Sequence, residues 1–297
     1  MRRIATSIAV VTVVTTAAMA GAAPALAAHH TTATTSHTFY LSLGDSLAQG
    51  VQPNKSGVSV ETNQGYPNQP FTALHSGSPT LKLVKLGCPG ETTATMINGG
   101  ICTYPAGSQL KQAAKFLAGH RGKVQLVTID IGANDLNPCL AKKTLPEIAK
   151  CLAKVFPKIQ ANLANIMATL GAAGGSGAPP TIGMTYYDPE LAIWLQGTTA
   201  AKNFAKASAV LAQGFANLLS GVYTKFGAKV ADVFTAFQTT KFTPKVTLPA
   251  FGKVPLNVAL ICSYTWECAA PPVGPNIHAN ILGYGIIANT FLTTSQG

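Results

Sequence analysis

The chain of 297 residues is 47% hydrophobic and only 10% charged, the composition of a compact globular domain with one substantial buried core. Its formal net charge of +11 is scattered lysine, and only Arg121 follows the two N-terminal arginines. With no Lys/Arg cluster interleaved with aromatics, nucleic acid is excluded as a partner, and the charge is left to solubility or weak attraction to acidic envelope polymers or lipid head groups.

Met1-Arg2-Arg3, an apolar run from Ile4 to Ala20 and Ala25-Leu26-Ala27 have the order of a secretory signal peptide, residues 1–27. Residues 28–37 are polar and repetitive and read as a flexible leader, so a single domain over 38–297 is expected outside the cell. No later stretch is apolar for long enough to span a bilayer, which argues against stable membrane insertion.

A first buried strand is expected at about 38–45, ending in Gly44-Asp45-Ser46. Gln49 to Pro70 reads as a loop, and Leu81–Leu86 as a second strand leading into Gly87-Cys88-Pro89-Gly90. A helix near Ser108–Ala118 precedes Val124–Ile131, the strongest buried strand, which ends in Gly132-Ala133-Asn134-Asp135. Ile148, Leu152, Val155, Phe156, Ile159, Leu163, Ile166, Met167 and Leu170 form the stripe of one long helix. Gly171–Gly177 reads as a linker, Thr181–Tyr186 as a strand, Thr199–Phe226 as a helix and Ala228–Val233 as a short strand. The proline-rich stretch Thr243–Pro272 reads as irregular, and His278–Thr290 as a closing helix. Strands alternating with helices imply a parallel sheet covered on both faces.

Cys88, Cys102, Cys139, Cys151, Cys262 and Cys268 fall as three close couples. In an exported chain this suits disulfides Cys88–Cys102, Cys139–Cys151 and Cys262–Cys268, although other pairings are open. With no Cys-x-x-Cys and no histidine beside a couple, zinc is disfavoured, and neither metal nor organic cofactor is indicated.

Ser46 stands where a strand meets the rim of a sheet, a place for a nucleophile, although Asp45-Ser46 alone equally suits a helix cap. A serine needs a base. Beyond the leader's histidines remain His75 and His120, placed in surface loops, and His278, which enters the last helix and could reach across the sheet edge. Gly90 offers an unobstructed backbone N–H and Asn134 a carboxamide N–H for an oxyanion.

Gly44-Asp45-Ser46-Leu47, Gly90 in Pro-Gly-Glu-Thr, Gly132-Ala133-Asn134-Asp135, and His278 with Asn280, Gly283 and Tyr284 together resemble the four blocks of the GDSL/SGNH hydrolases. The resemblance implies a flavodoxin-like three-layer α/β/α sandwich with a central parallel sheet, and esterase or lipase activity on acyl esters or lipids through an acyl-enzyme. Carried over, Ser46 is nucleophile and first oxyanion donor, Gly90 and Asn134 are the other donors, and His278 is the general base. The family commonly has an aspartate three residues before that histidine, where this chain has Pro275. A Ser-His dyad follows, with a main-chain carbonyl near Pro275–Asn276, or else the distant Glu267, orienting His278. The alternative is a catalytically weakened protein on the same fold, binding envelope polysaccharide or lipid. Trp194 and Trp266 are candidates for an acyl pocket, with plain apolar packing narrowly preferred. The oligomeric state is not legible.

Overall fold

The computed structural model describes residues 38–296, all within one compact unit. The expected signal peptide and leader lie outside the described residues. Strand β1 (Phe39–Gly44) is buried from Tyr40 onward and runs into the one-turn helix α1 (Ser46–Gln49). A small antiparallel pair, β2 (Gln52–Pro53) with β3 (Ser59–Val60), and helix α2 (Asn68–Gly77) follow, where the sequence read mostly as loop.

Next come β4 (Lys82–Lys85), α3 (Thr93–Asn98), α4 (Gln109–Gly119) and β5 (Val124–Asp130). After β5, a 3-10 turn over Ala133–Leu136 and the short α5 (Asn137–Leu140) lead into α6 (Leu145–Gly174). Thr144 and Glu147 form a reciprocal cap at the start of α6, which fixes where this long helix begins. It continues to Gly174 and passes into a 3-10 turn over Gly175–Gly177, so the expected glycine linker is helical throughout. Strand β6 (Thr181–Met184), a 3-10 segment over Pro189–Gln196, α7 (Thr199–Lys225), β7 (Lys229–Ala231) and α8 (Val233–Ala236) complete the sheet region.

The stretch expected to be irregular is instead a hairpin, β8 (Lys245–Leu248) with β9 (Gly252–Pro255), and helix α9 (Leu256–Tyr264). Its prolines had suggested irregularity. Pro255, however, occupies the N-cap of α9, a position that needs no intrahelical N–H bond. The closing helix α10 (Ile281–Gln296) begins three residues later than the sequence suggested. Asn280 Oδ1 accepts the N–H groups of Leu282 and Gly283 at 3.0 and 3.1 Å, which caps the helix and leaves His278 in the loop before it.

The main sheet has the order β4-β1-β5-β6-β7 and every pairing in it is parallel. The chain moves from β1 to β4 on one side, then returns past β1 to β5 on the other. With right-handed crossovers, that reversal puts α2 on one face and α4, α6 and α7 on the opposite face. The packing agrees: α4, α6 and α7 lie against one another, while α10 packs on α2 and α8. This is the flavodoxin-like three-layer α/β/α order, and its reversal opens a crevice between the carboxyl ends of β1 and β5. Disulfides join Cys88 to Cys102, Cys139 to Cys151, and Cys262 to Cys268. Among the described residues, no helix is long and apolar enough to cross a membrane.

Candidate active site

Ser46 is the first residue of α1, directly beyond the buried end of β1. Gly44 makes the turn with φ +140°, and a Cβ there would strike the backbone oxygen of Asp130 on β5. Only glycine therefore lets β1 turn into α1 so close to its neighbour. Asp45 caps α1 by accepting the Leu47 N–H at 2.9 Å.

The Gly87–Glu91 turn is held against this end of β1. Cys88 N–H donates to the Gly44 carbonyl at 3.0 Å. Gln109 accepts from Gly44 N–H at 2.7 Å, and its Nε2 donates to the Gly44 carbonyl at 2.9 Å and to Glu91 Oε2 at 3.0 Å. Gly90 has φ +82° and is exposed at the tip of the turn.

Asn134 comes from the 3-10 turn after β5. Its Nδ2 donates to the Glu91 carbonyl at 3.0 Å, so the Gly90 turn and the Asn134 turn are tied together. Thr93 reinforces the tie, donating from N–H and Oγ1 to the Asp135 carboxylate at 2.8 and 2.7 Å.

His278 arrives from the far end of the chain. Tyr187 O–H donates to the Ile277 carbonyl at 2.7 Å, and Trp266 N–H to the His278 carbonyl at 3.0 Å. Its Nδ1 lies 2.7 Å from Asn276 Oδ1, which also accepts the His278 backbone N–H at 3.0 Å. A backbone N–H can only donate, so this bond settles the orientation of the amide and leaves Asn276 Nδ2 to donate to Ser59 Oγ at 3.0 Å. An imidazole nitrogen facing a carboxamide oxygen must carry a proton, so Nε2 keeps the free lone pair. Burial lowers the His278 pKa to about 4, keeping the imidazole neutral.

Ser46, Asn134 and His278 line one cavity of about 140 Å³. Its walls are mostly apolar, with Leu140, Ile148, Leu152, Phe204 and Leu211 among them, from α5, α6 and α7. Gly90 is not among the lining residues, and neither is either tryptophan. Trp194 packs near Phe242 and beneath Lys202 and Lys206, while Trp266 Nε1 donates to Gln52 at 3.3 Å.

The chain matches the GDSL-like lipase/acylhydrolase family over residues 42–286. It belongs to that family. No curated protein matches it. Among solved structures, the extracellular lipase of Streptomyces rimosus is similar at 17% identity, with 86% of this chain and 99% of that one covered and a TM-score of 0.55. A catalytic mutant of an acetylxylan esterase from Geobacillus stearothermophilus gives 15%, 87% and 94%, with a TM-score of 0.53. The aryl esterase of M. smegmatis gives 14%, 87% and 98%, with a TM-score of 0.50. At these identities the likeness concerns the fold.

In this member of the GDSL-like family, the group facing His278 Nδ1 is the Asn276 side chain, not the main-chain carbonyl expected from the sequence. Glu267, the other expected orienter, makes no hydrogen bond to the imidazole among the described residues. Its Oε2 is buried without a partner, and burial with the nearby Glu190 charge raises its pKa to about 7. Asp188, buried at the start of the 3-10 segment, is likewise pushed to about 7 by desolvation, and it lines the cavity. Asp130, the last residue of β5, is fully buried, and an acid inside the most apolar strand is a sequence signal that the motifs above do not use.

Proposed function

We propose that this protein is an exported carboxylic-ester hydrolase, with residues 38–297 as a single hydrolase domain working through an acyl-enzyme on Ser46. The observation that carries the reading is the convergence of Ser46, Asn134 and His278 on one apolar cavity from three distant parts of the chain. The export pattern at the N-terminus and the three disulfides support an extracellular setting.

In this mechanism His278 Nε2 removes the Ser46 hydroxyl proton as Oγ attacks the ester carbonyl. The backbone N–H groups of Ser46 and Gly90 and the second Nδ2 hydrogen of Asn134 receive the oxyanion. Imidazolium then gives its proton to the departing alkoxide, and the acyl-enzyme is hydrolysed by water through the same groups. Asn276 fixes the tautomer that this requires. Being neutral, it stabilises the imidazolium less than a carboxylate would, so the machinery is a dyad with an amide orienter.

The cavity favours an acyl chain over an acetyl group, since an apolar space of ~150 Å³ accommodates a benzene ring. Peptide-mapped labelling with a fluorophosphonate tests the nucleophile. Label is expected on Ser46 and lost in Ser46→Ala. A folded protein that takes no label would overturn the hydrolase reading and favour a binding role.

A further inference from the structure

Behind Ser46 two carboxyls are buried together, Asp45 with 2% of its surface exposed and Asp130 with none. Asp45 Oδ1 accepts the Leu47 N–H at 2.9 Å and Oδ2 accepts the Tyr186 O–H at 2.8 Å. Asp130 Oδ1 accepts the Tyr66 O–H at 2.6 Å, and its Oδ2 lies 3.4 Å from the Asp45 backbone N–H. That same N–H donates to the Asp130 carbonyl at 3.1 Å. The partners are phenols and backbone amides, and none is a cation. Two neighbouring carboxylates cannot both remain charged in such a place without a cation to offset them.

We propose that Asp45 and Asp130 hold one proton between them, donated by Asp130 to Asp45, and that this bond makes Asp130 a positioning residue for Ser46. The proposal rests on the serine-nucleophile reading only for its consequence. The donor can be assigned from the partners. Asp45 already receives two donors, one the first-turn amide of α1, and both favour its ionised form. Asp130 receives a phenol on one oxygen and turns the other towards the Asp45 backbone N–H, which brings its side chain within hydrogen-bonding reach of the Asp45 carboxyl. Burial pushes both acids up, and the Asp45 charge pushes Asp130 well above the usual carboxylate range. The remaining titratable groups that feel the pair are Tyr40, Tyr187, Tyr223, Tyr284 and Glu91, each pushed up by desolvation and none positively charged.

The proton thus joins the end of β5 to the cap of α1. Without it, like charges would drive the cap away from β5 and carry Ser46 with it, and a misplacement of ~1 Å at a reacting centre costs about a hundredfold in rate. Asparagine at position 130 keeps the neutral shape, donates to Asp45 and accepts from Tyr66, whereas alanine does neither.

The test compares the rate of fluorophosphonate labelling of Ser46 in the wild type, Asp130→Asn and Asp130→Ala, with folding checked by circular dichroism. Asp130→Asn is expected within about threefold of wild type, and Asp130→Ala slower by about thirtyfold or more. Equal loss in a folded Asp130→Asn variant would mean that position 130 acts as a carboxylate, which overturns the proposal. Carbon-13 NMR of wild type labelled in its aspartates reads the proton directly. One carboxyl resonance should remain in the protonated range above the window in which Asp188 titrates, far above an ordinary aspartate pKa. Its absence overturns the shared proton whether or not any variant folds. If even the wild type takes no label, the nucleophile reading fails while the NMR result still decides the proton.

Discussion

A single side-chain oxygen of Asn276 receives both the backbone N–H and the ring Nδ1–H of His278, at 3.0 and 2.7 Å. The two donors clamp the imidazole to its own loop, and no carboxylate takes part in the clamp. Burial then acts unopposed and lowers the His278 pKa to about 4.

The clamp predicts an acid-tolerant enzyme. With neutral His278 as the proposed base, kcat/KM should persist well below the ordinary histidine pKa and fall only as pH approaches about 4. Asn276→Asp places a carboxylate against Nδ1, favours the imidazolium, and should move that acid limb upward by about one unit or more. Asn276→Ala removes the orienter and should lower kcat by about 10–100-fold, the usual scale for groups that orient a working histidine. A pH–rate profile of the three proteins with one soluble ester checks all three outcomes; an unchanged Asn276→Ala profile would assign the orienting role elsewhere.

Asp188 predicts a pH-dependent contribution to stability. Its pKa is raised from 3.8 to about 7 by burial, so between those values the folded state holds a proton that the unfolded state has lost. Stability therefore falls as pH rises through that window. Asp188→Asn does not titrate, so its unfolding free energy relative to wild type should rise from pH 4 to pH 8, by up to about 4 kcal/mol at 1.36 kcal/mol per unit. Denaturant titrations at the two pH values measure the difference, and taking it against wild type cancels the opposite contribution of His278.

The cavity wall predicts chain-length selectivity. Leu136, just before the short α5, and Leu140, its last residue, line the cavity, and α5 is held to α6 by the Cys139–Cys151 disulfide. Leu211→Trp should fill the cavity and reduce kcat/KM for an octanoyl ester by tenfold or more, about 1.4 kcal/mol, with little effect on an acetyl ester. Replacing both Cys139 and Cys151 by alanine should lower stability by about 2–4 kcal/mol and weaken the same selectivity, because the wall loses its tether. Activities on p-nitrophenyl acetate and octanoate distinguish this from a general loss of function.

Much of the architecture was legible because its signals are local. The buried run of β5 and the apolar stripe of α6 repeat at periods that only a strand and a helix satisfy. Helix α9 was hidden for the opposite reason: prolines flank it, and whether Pro255 breaks a helix or begins one depends on the hairpin preceding it. The Gly171–Gly174 turn of α6 was hidden likewise, since an apolar helix with 26 of its 30 residues already in place can carry weak helix formers at its end.

The sequence by itself determined which groups are available: one serine after a buried strand, two turn residues with free N–H groups, and one histidine near the last helix. It could also show that position 275 lacks a carboxylate. Only the tertiary structure decided what replaces it, because Asn276 is selected by a loop geometry in which side chain, backbone and Ser59 converge. It likewise decided that Asp45 and Asp130, separated by 85 positions along the chain, meet with no cation beside them among the described residues. Burial and the distance between charges are properties of the packed sheet, and they set proton affinities that no local pattern of residues encodes.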